Sequence, residues 1–289
     1  MCRVINVLSH KGGCGKSETV LNLAYGLHAK GKRVLVIDCD PQSNVTSILT
    51  AESSLTTGDS NQLLENYRAR TETGFMAALA ALGEYVQSHR DSRDIHDVME
   101  GNCSSEEAIC RTKYENVDII PSGIELSMTD YQLKNRSLDP YRALRSGIQQ
   151  VKDAYDYVII DNQPFKNALT FNTIASCTEE NDLIIIPTKI NRGGLEGTYE
   201  TIMTTMEWLK TDRLPLDIKI LATMVNRNKL EKTWIDTLSE LFGDKMFRAT
   251  IRYQAKPVEE ASLKKSILLE NMTSGVAQDY QALVDELVD

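Results

Sequence analysis

Residues 4–18 read VINVLSHKGGCGKSE, an apolar run followed by a glycine-rich loop and a Lys-Ser pair. A strand that ends at Ser9, a loop over residues 10–15 and a helix from Glu18 onward form the context in which P-loops bind phosphate. The glycines let backbone N–H groups turn inward, and the helix N-terminus adds positive partial charge. The sequence therefore predicts a phosphate cradle made by Gly12, Gly13, Cys14 and Gly15.

Side chains next to this loop predict ATP and Mg²⁺ as the ligands. Lys16 is placed to neutralise the β- and γ-phosphates, and the hydroxyl of Ser17 is a Mg²⁺ ligand. Lys11 supplies a second cation, which can offset the charge that develops during phosphoryl transfer. Glu18 follows the Lys-Ser pair, where a threonine is typical, and we expect it to alter the contacts to the α-phosphate. His10 occupies the position of the first glycine in the ordinary GxxxxGK[ST] signature.

Three aspartates follow apolar runs of the kind that form buried strands. Asp38 and Asp40 follow the run VLVI and lie two residues apart, so both face the same side of a strand. At the carboxyl end of a central strand they would face the crevice where α/β sheets bind ligands. Asp161 closes the run YDYVIID, a Walker B pattern, and is predicted to hold Mg²⁺ directly or through water.

The remaining pattern predicts one large α/β domain over residues 1–289. Short β-branched runs occur at 4–8, 34–38, 117–121, 157–161, 183–187 and 218–225. Continuous apolar strands of this kind belong inside a parallel sheet, and the amphipathic segments between them can cover its two faces. We therefore predict a doubly wound, mostly parallel sheet flanked by helices, the P-loop NTPase fold.

Residues 52–93 interrupt this alternation. The segment is rich in Ser, Thr, Glu and Arg and contains a helix-like piece, FMAALAALGEYV, at 75–86. We predict an inserted helical excursion, and a surface elaboration without chemistry is its simplest interpretation.

Composition excludes several classes of protein. The chain has 289 residues with 32 Lys plus Arg against 41 Asp plus Glu, so its net charge of −9 argues against a protein that coats nucleic acid with its whole surface. Six cysteines without a CxxC pair are typical of reduced cytosolic thiols. No apolar run approaches the roughly 18 residues that a membrane span needs. We expect a cytoplasmic protein that does not bind membranes.

The run KGGCGKS at 11–17 and the run DCDPQ at 38–42 resemble the deviant Walker A motif and the second nucleotide motif of the ParA/MinD family of P-loop ATPases. The resemblance implies that Lys11 reaches across an ATP-bound homodimer to the partner's nucleotide. It implies further that Asp40 positions the attacking water and that Asp38 supports it by hydrogen bonding. Asn162-Gln163-Pro164 departs from the family, which usually continues after the Walker B aspartate with a second Asp, a small residue and two prolines.

Later segments, from NVDIIPSGIELS to TIRYQAKPVEEAS, resemble ParA proteins in the same order, and the chain is most similar to the Soj-like short form without an N-terminal DNA-binding domain. This resemblance implies non-specific binding of double-stranded DNA, nucleoid association with ATP, and a ParB-like centromere-binding partner. Arg252 matches a family arginine. Other candidate DNA contacts are Arg227, Lys229, Lys256, Lys264 and Lys265, and Asn226 is a candidate contact to the adenine base.

Three other functions remain open from the sequence. A MinD-like positioning ATPase that acts on a membrane or another cargo is disfavoured by the acidic stretch AQDYQALVDELVD. An electron carrier similar to nitrogenase reductase would need cluster-bridging cysteines in glycine-rich contexts, which Cys103, Cys110 and Cys177 lack. A metabolic P-loop ligase or kinase would need a pocket for a small substrate.

Overall fold

A computed structural model describes residues 2–50, 57–88, 93–136, 139–212, 217–226 and 228–288. The chain divides into two compact units, one formed by residues 1–51 and 94–289 and the other by residues 52–93. The second unit has the bounds of the predicted excursion. One domain over residues 1–289 stays a prediction.

The first unit contains a seven-stranded sheet with the strand order β3-β4-β2-β5-β1-β6-β7. Its strands are β1 (Arg3–Val7), β2 (Val34–Cys39), β3 (Cys110–Arg111), β4 (Val117–Ile120), β5 (Tyr157–Asn162), β6 (Leu183–Lys189) and β7 (Asp217–Thr223). All neighbours pair in parallel except β3, which is an antiparallel edge strand of two residues. The predicted doubly wound, mostly parallel α/β fold is confirmed.

Helices lie between the strands and after the last one. They are α1 (Lys16–Ala29), α2 (Asn44–Leu49), α3 (Thr57–Arg68), α4 (Phe75–Ser88), α5 (Ile95–Glu100), α6 (Ser105–Ala108), α7 (Leu126–Arg136), α8 (Ala143–Val151), α9 (Ala168–Ala175), α10 (Arg192–Asp212), α11 (Lys229–Phe242), α12 (Ala255–Leu263) and α13 (Gly275–Val288). The pair α3 and α4 forms the second unit. Among the described residues, no helix combines the length and the apolar character that crossing a membrane requires.

Alternation along the strands gives the sheet one hydrophobic core on each face. In β2, Val34 and Val36 belong to the core that contains α1 and α13. Leu35 and Ile37 belong to the other core, which contains side chains of α5, α8 and α9. Both faces are covered, which is why these strands are apolar without a break.

Strand order brings the predicted site residues together. Because β5 lies between β2 and β1, the carboxyl ends of these three strands are adjacent. Asp38 of β2 is the register partner of Asp161 of β5, which also pairs with Val7 of β1. The two carboxylates therefore meet where β1 leads into the glycine-rich loop.

Candidate nucleotide-binding site

The loop over residues 10–15 has the backbone of a phosphate cradle. Gly13 and Gly15 adopt φ angles of 68° and 85°, a left-handed region that favours glycine. Gly15 caps α1, and its carbonyl accepts a hydrogen bond from the N–H of Thr19 at 2.9 Å. The hydroxyl of Thr223, at the end of β7, donates to the carbonyl of Cys14 at 2.8 Å. The loop is thus held from both sides and leads into the N-terminus of α1, the kind of position that binds anions.

The first residues of α1 connect this loop to the end of β5. Lys16 is buried, and its Nζ donates to the carbonyl of Lys11 at 3.4 Å. The Ser17 hydroxyl donates to Oδ2 of Asp161 at 2.7 Å. Lys16, the predicted phosphate-binding lysine, and Ser17 therefore lie in the first turn of α1, next to Asp161 at the end of β5.

Asp161 fits a cation ligand on independent grounds. Its side chain is fully buried, and its Oδ1 has no hydrogen-bond partner among the described residues. Burial, and then the negative charge of Asp38, raise the pKa of Asp161 well above its usual range. A buried carboxylate beside a second carboxylate is costly, and a bound divalent cation would offset that cost. Mg²⁺ prefers oxygen ligands, and the Ser17 hydroxyl and the Asp161 carboxylate supply them.

Asp38 and Asp40 have different surroundings. Asp38 is fully buried and accepts hydrogen bonds from the backbone N–H groups of Asp40 at 3.0 Å and Thr46 at 2.9 Å and from the Thr46 hydroxyl at 2.8 Å. Asp40 accepts one side-chain bond, from the N–H of Gln42 to Oδ1 at 3.0 Å, and its Oδ2 accepts none from the described residues. Asp38 therefore fixes the turn, and Asp40 keeps an oxygen available to a water molecule.

Lys11 lies across the first turns of α10. A Cβ added at Gly197 would be 3.0 Å from the Lys11 Cβ, and one added at Gly193 would be 3.5 Å from the Lys11 Nζ. The loop is tied to the same helix by a hydrogen bond from the N–H of His10 to the hydroxyl of Thr201 at 3.0 Å. Lys11 is exposed, and the positive end of a helix does not stabilise an ammonium group. Its charge is thus available to an anion.

Two predicted nucleotide contacts have partners within the chain. Glu18 accepts a hydrogen bond from the side-chain amide of Asn22 at 2.7 Å, and burial raises the pKa of its carboxyl. Asn226 is exposed and donates its side-chain amide to Glu231 at 2.9 Å. The roles predicted for Glu18 at the α-phosphate and for Asn226 at the adenine stay predictions.

The predicted basic residues lie on two adjacent segments. A bridge between Val225 and Arg252 joins the segment between β7 and α11 to the segment that precedes α12. Lys229 and Lys256 are exposed, and the Nζ of Lys256 lies 3.9 Å from Oε1 of Glu260. Arg227 lies outside the described residues.

Arg252 has a strong partner of its own. Its Nε and Nη2 each donate to the carboxylate of Asp279 in α13 at 2.6 Å. Such a bidentate pair occupies the Nε–Nη2 edge of the guanidinium. The DNA role of Arg252 stays a prediction, and any DNA phosphate would have to compete with Asp279.

Hydrogen bonds fix the segment after Asp161, which departs from the family pattern. The Asn162 amide donates to the side chain of Asn6 and, at 3.0 Å, to the carbonyl of Val7, while the Thr173 hydroxyl donates to Asn162 at 2.6 Å. Gln163 donates to Asn167, the N-cap of α9, at 3.0 Å. The segment is thus fixed by side-chain amides on both neighbouring elements.

Sequence reasoning missed several residues that shape the site. The hydroxyl of Thr46 donates to Asp38, that of Ser122 to the carbonyl of Asp40, and that of Thr223 to the carbonyl of Cys14. A hydroxyl residue at or after the end of a buried strand was the available signal. Sequence reasoning also missed Gly193 and Gly197, whose spacing of four residues indicates one bare helix face.

A protein-family model described as an AAA domain matches residues 2–220. The chain is 27% identical over 291 residues to the chromosome partitioning protein ParA of Caulobacter vibrioides, which covers 99% of this chain and 94% of that protein. It is 28% identical over 290 residues to the sporulation initiation inhibitor protein Soj of Bacillus subtilis, with 99% and 98% covered. A plasmid partition protein of Borrelia burgdorferi bound to AMPPNP has a similar fold, with a TM-score of 0.72, 18% identity, and 100% and 99% covered.

Proposed function

Because the chain belongs to the ParA/MinD family of P-loop ATPases, as its AAA domain match over residues 2–220 and its ParA and Soj relatives show, we propose that it is a partition ATPase that forms an ATP-dependent homodimer. In this proposal the dimer binds double-stranded DNA without sequence preference, becomes associated with the nucleoid, and releases DNA after hydrolysis. A ParB-like centromere-binding protein stimulates it during plasmid or chromosome partition.

The observation that carries this proposal is the convergence of the loop, Ser17, Asp161 and Asp40 at one edge of the sheet. Lys16 and the loop N–H groups bind the phosphates, and Ser17 and Asp161 hold Mg²⁺, which supplies charge neutralisation when bound. Asp40 orients the attacking water through the oxygen that accepts no hydrogen bond from the described residues. The residues thus cover binding, charge neutralisation and water positioning.

Lys11 supports the dimer. Its exposed ammonium group lies against the face of α10 that carries Gly193 and Gly197. The loop of its own chain does not need this charge, since Lys16 already supplies a cation to that loop. A second copy that faced this edge with its own triphosphate would give Lys11 an anionic partner. Lys11 then acts in trans, which makes dimerisation depend on ATP.

Lys229 and Lys256 support the DNA proposal because both are exposed on adjacent segments. A few lysines suffice for phosphate contacts that carry no sequence information. A membrane role for the acidic α13 has no support. Its apolar residues, among them Tyr280, Leu283 and Val284, are buried in the core that contains α1.

The proposal is tested by measuring DNA binding with ADP, with ATP and with a non-hydrolysable ATP analogue. We expect tight binding with the analogue, transient binding with ATP and weak binding with ADP, all independent of DNA sequence. A liposome sedimentation assay run with the same nucleotides serves as the control for a membrane target. Equal DNA binding in all three nucleotide states would contradict a nucleotide-gated DNA-binding dimer.

A further inference from the structure

A closed ring of hydrogen bonds surrounds the turn that carries Asp40. Oδ1 of Asp38 accepts from the N–H of Asp40 at 3.0 Å, and Oδ2 of Asp38 accepts from the Thr46 hydroxyl at 2.8 Å. The Thr46 hydroxyl in turn accepts from the N–H of Ser122 at 3.0 Å, and the Ser122 hydroxyl donates to the carbonyl of Asp40 at 2.7 Å. We name these four residues, Asp38, Asp40, Thr46 and Ser122, the Asp40 ring.

The Asp40 ring is buried and joins three elements of the fold. The exposed fractions of Asp38, Asp40, Thr46 and Ser122 are 0, 8, 3 and 7%. Asp38 belongs to β2 and Thr46 to α2, whereas Ser122 follows β4 and is 82 positions from Asp40 in the sequence. A buried network whose hydroxyls have their partners holds one geometry, because an unmade hydrogen bond would leave a polar group away from water. The end of β4 therefore fixes the shape of a turn at the end of β2.

The ring sets the direction of the Asp40 side chain through the backbone. The N–H and the carbonyl of one residue belong to two rigid peptide planes, which are joined by its two soft dihedral angles. Asp38 holds the plane of the Asp40 N–H, and Ser122 holds the plane of the Asp40 carbonyl. The N–H of Ser43 also donates to this carbonyl, at 2.9 Å. Both dihedral angles, and with them the Cα–Cβ bond of Asp40, are thereby set.

The Asp40 carboxylate depends on this support because little else holds it. Its Oδ1 accepts from the N–H of Gln42 at 3.0 Å, and its Oδ2 accepts no hydrogen bond from the described residues. A tilt of the carbonyl plane would therefore swing the carboxylate and any water that it binds. A misplacement of about 1 Å can slow a reaction by about 10²-fold.

We propose that Ser122 is a positioning residue for ATP hydrolysis, which acts through the Asp40 carbonyl on the water that Asp40 orients. This inference rests on the role of Asp40 in the proposed function. In hydrolysis the water oxygen bonds to the γ-phosphorus as the bond from that phosphorus to ADP breaks, and ADP, inorganic phosphate and a proton are the products. Ser122 belongs neither to the loop nor to the proposed Mg²⁺ ligands, so it acts on the rate of this step and leaves ATP binding unchanged.

Single-turnover hydrolysis by the full chain, with protein in excess over labelled ATP and with Mg²⁺, tests this role. Ser122→Ala should be slower than wild type by about 10-fold, less than the 10²-fold or so expected when the Asp40 carboxylate itself is removed. Its affinity for a non-hydrolysable ATP analogue, measured by calorimetry, should be unchanged. A wild-type rate in Ser122→Ala, or a loss of affinity as large as the loss of rate, would overturn the inference.

Ser176→Ala is the matched control. Ser176 is 3% exposed, and its hydroxyl donates to the carbonyl of Asn172 at 2.8 Å. The change therefore removes the same kind of buried hydrogen bond outside the Asp40 ring. This variant should hydrolyse ATP at the wild-type rate. Equal slowing in Ser122→Ala and Ser176→Ala would show that both act through general loss of structure, which overturns a positioning role.

A double variant shows whether Ser122 acts through Asp40. Groups that act as one unit are not additive, so adding Ser122→Ala to Asp40→Ala should slow hydrolysis no further. An equal loss of rate from Ser122→Ala in both backgrounds would overturn the inference while the role of Asp40 stands. An Asp40→Ala protein as fast as wild type would instead overturn the role of Asp40 in the proposed function, and this inference with it.

Thr46 supplies a second pair of variants, which keeps the inference testable if Ser122→Ala does not fold. Thr46→Ser keeps the hydroxyl that links Ser122 to Asp38, whereas Thr46→Val keeps the shape of the side chain and removes that hydroxyl. Thr46→Val should slow hydrolysis by about 10-fold, as lost positioning does, and Thr46→Ser should retain most of the wild-type rate. Equal rates in these two variants would overturn control of Asp40 by the ring.

Discussion

Replacing Asp161 with asparagine should make the nucleotide-free protein more stable while it abolishes ATP hydrolysis. Asparagine keeps an acceptor for the Ser17 hydroxyl and removes a fully buried charge that is in register with Asp38. Each unit by which burial and charge repulsion raise the pKa of a carboxyl lowers the stability of the folded state by about 1.4 kcal/mol once that carboxyl ionises. The unpartnered amide nitrogen costs about 1 kcal/mol in return. We expect a net gain in the free energy of unfolding at pH 8, on the order of the 1 kcal/mol by which single substitutions commonly change stability.

The pH dependence of this gain fixes its cause. The pKa of Asp161 is raised in the folded state, so the carboxyl favours folding below its unfolded pKa of about 4, and that contribution is lost as the pH rises through the folded pKa. The advantage of Asp161→Asn should therefore be small at pH 5 and largest at pH 8. Urea unfolding in EDTA at both pH values measures it.

Asp156→Asn is the matched control for this experiment. Hydrogen bonds from Arg33 lower the pKa of Asp156, which lies at the surface, so its contribution to stability is present above pH 4 or so and is lost on acidification. The control should show no gain at pH 8. A wild type as stable as Asp161→Asn at pH 8, or a difference between them that shrinks as pH rises, would refute the reasoning.

Three further predictions concern the loop and the basic residues. Lys16→Ala should abolish ATP binding measured by calorimetry, because the phosphates lose their counter-charge, and unchanged affinity would remove the P-loop assignment. Lys229→Ala and Lys256→Ala should each lower the slope of log K for DNA binding against log salt concentration by about one. Unchanged slopes would show that DNA binds elsewhere on the protein. Arg252→Ala should lower the free energy of unfolding by about 1–3 kcal/mol, because the part-buried Asp279 carboxylate loses the guanidinium charge and keeps the backbone N–H of residue 252 as its donor. If Arg252 also contacts DNA, Asp279→Asn should tighten DNA binding in the same titration, and unchanged binding would show that Arg252 is structural.

The sheet could be predicted from the sequence because its strands are buried on both faces and so read as unbroken apolar runs. The loop and the carboxylates at strand ends could be predicted for a related reason, since parallel strands place their carboxyl ends at one edge. Helix α4 was predicted at 75–86 and extends over Phe75–Ser88. Strand β3 was missed, because two residues at a sheet edge carry no periodic pattern.

Side-chain partners were beyond prediction. The bidentate ion pair between Arg252 and Asp279 joins residues that are 27 positions apart in the sequence. Taken one at a time, an arginine and an aspartate indicate only surface charge. The contact between Lys11 and the glycines of α10 depends on how that helix follows β6. The exposure of Phe75 could not be inferred either, because an apolar helix in a sequence is normally assigned to a core.

The central claim is an ATPase cycle in which Lys11 acts across the dimer and Asp40 acts on water. Size-exclusion chromatography with light scattering, in ATP and Mg²⁺, tests both roles at once. Lys11→Ala should bind ATP through Lys16 and remain monomeric, whereas Asp40→Ala should form a persistent dimer whose hydrolysis is slower by about 10²-fold or more. Buffer with EDTA and no nucleotide gives the baseline for association that does not depend on ATP. A Lys11→Ala protein that gains an ATP-dependent dimer, or an Asp40→Ala protein that does not, would contradict the account.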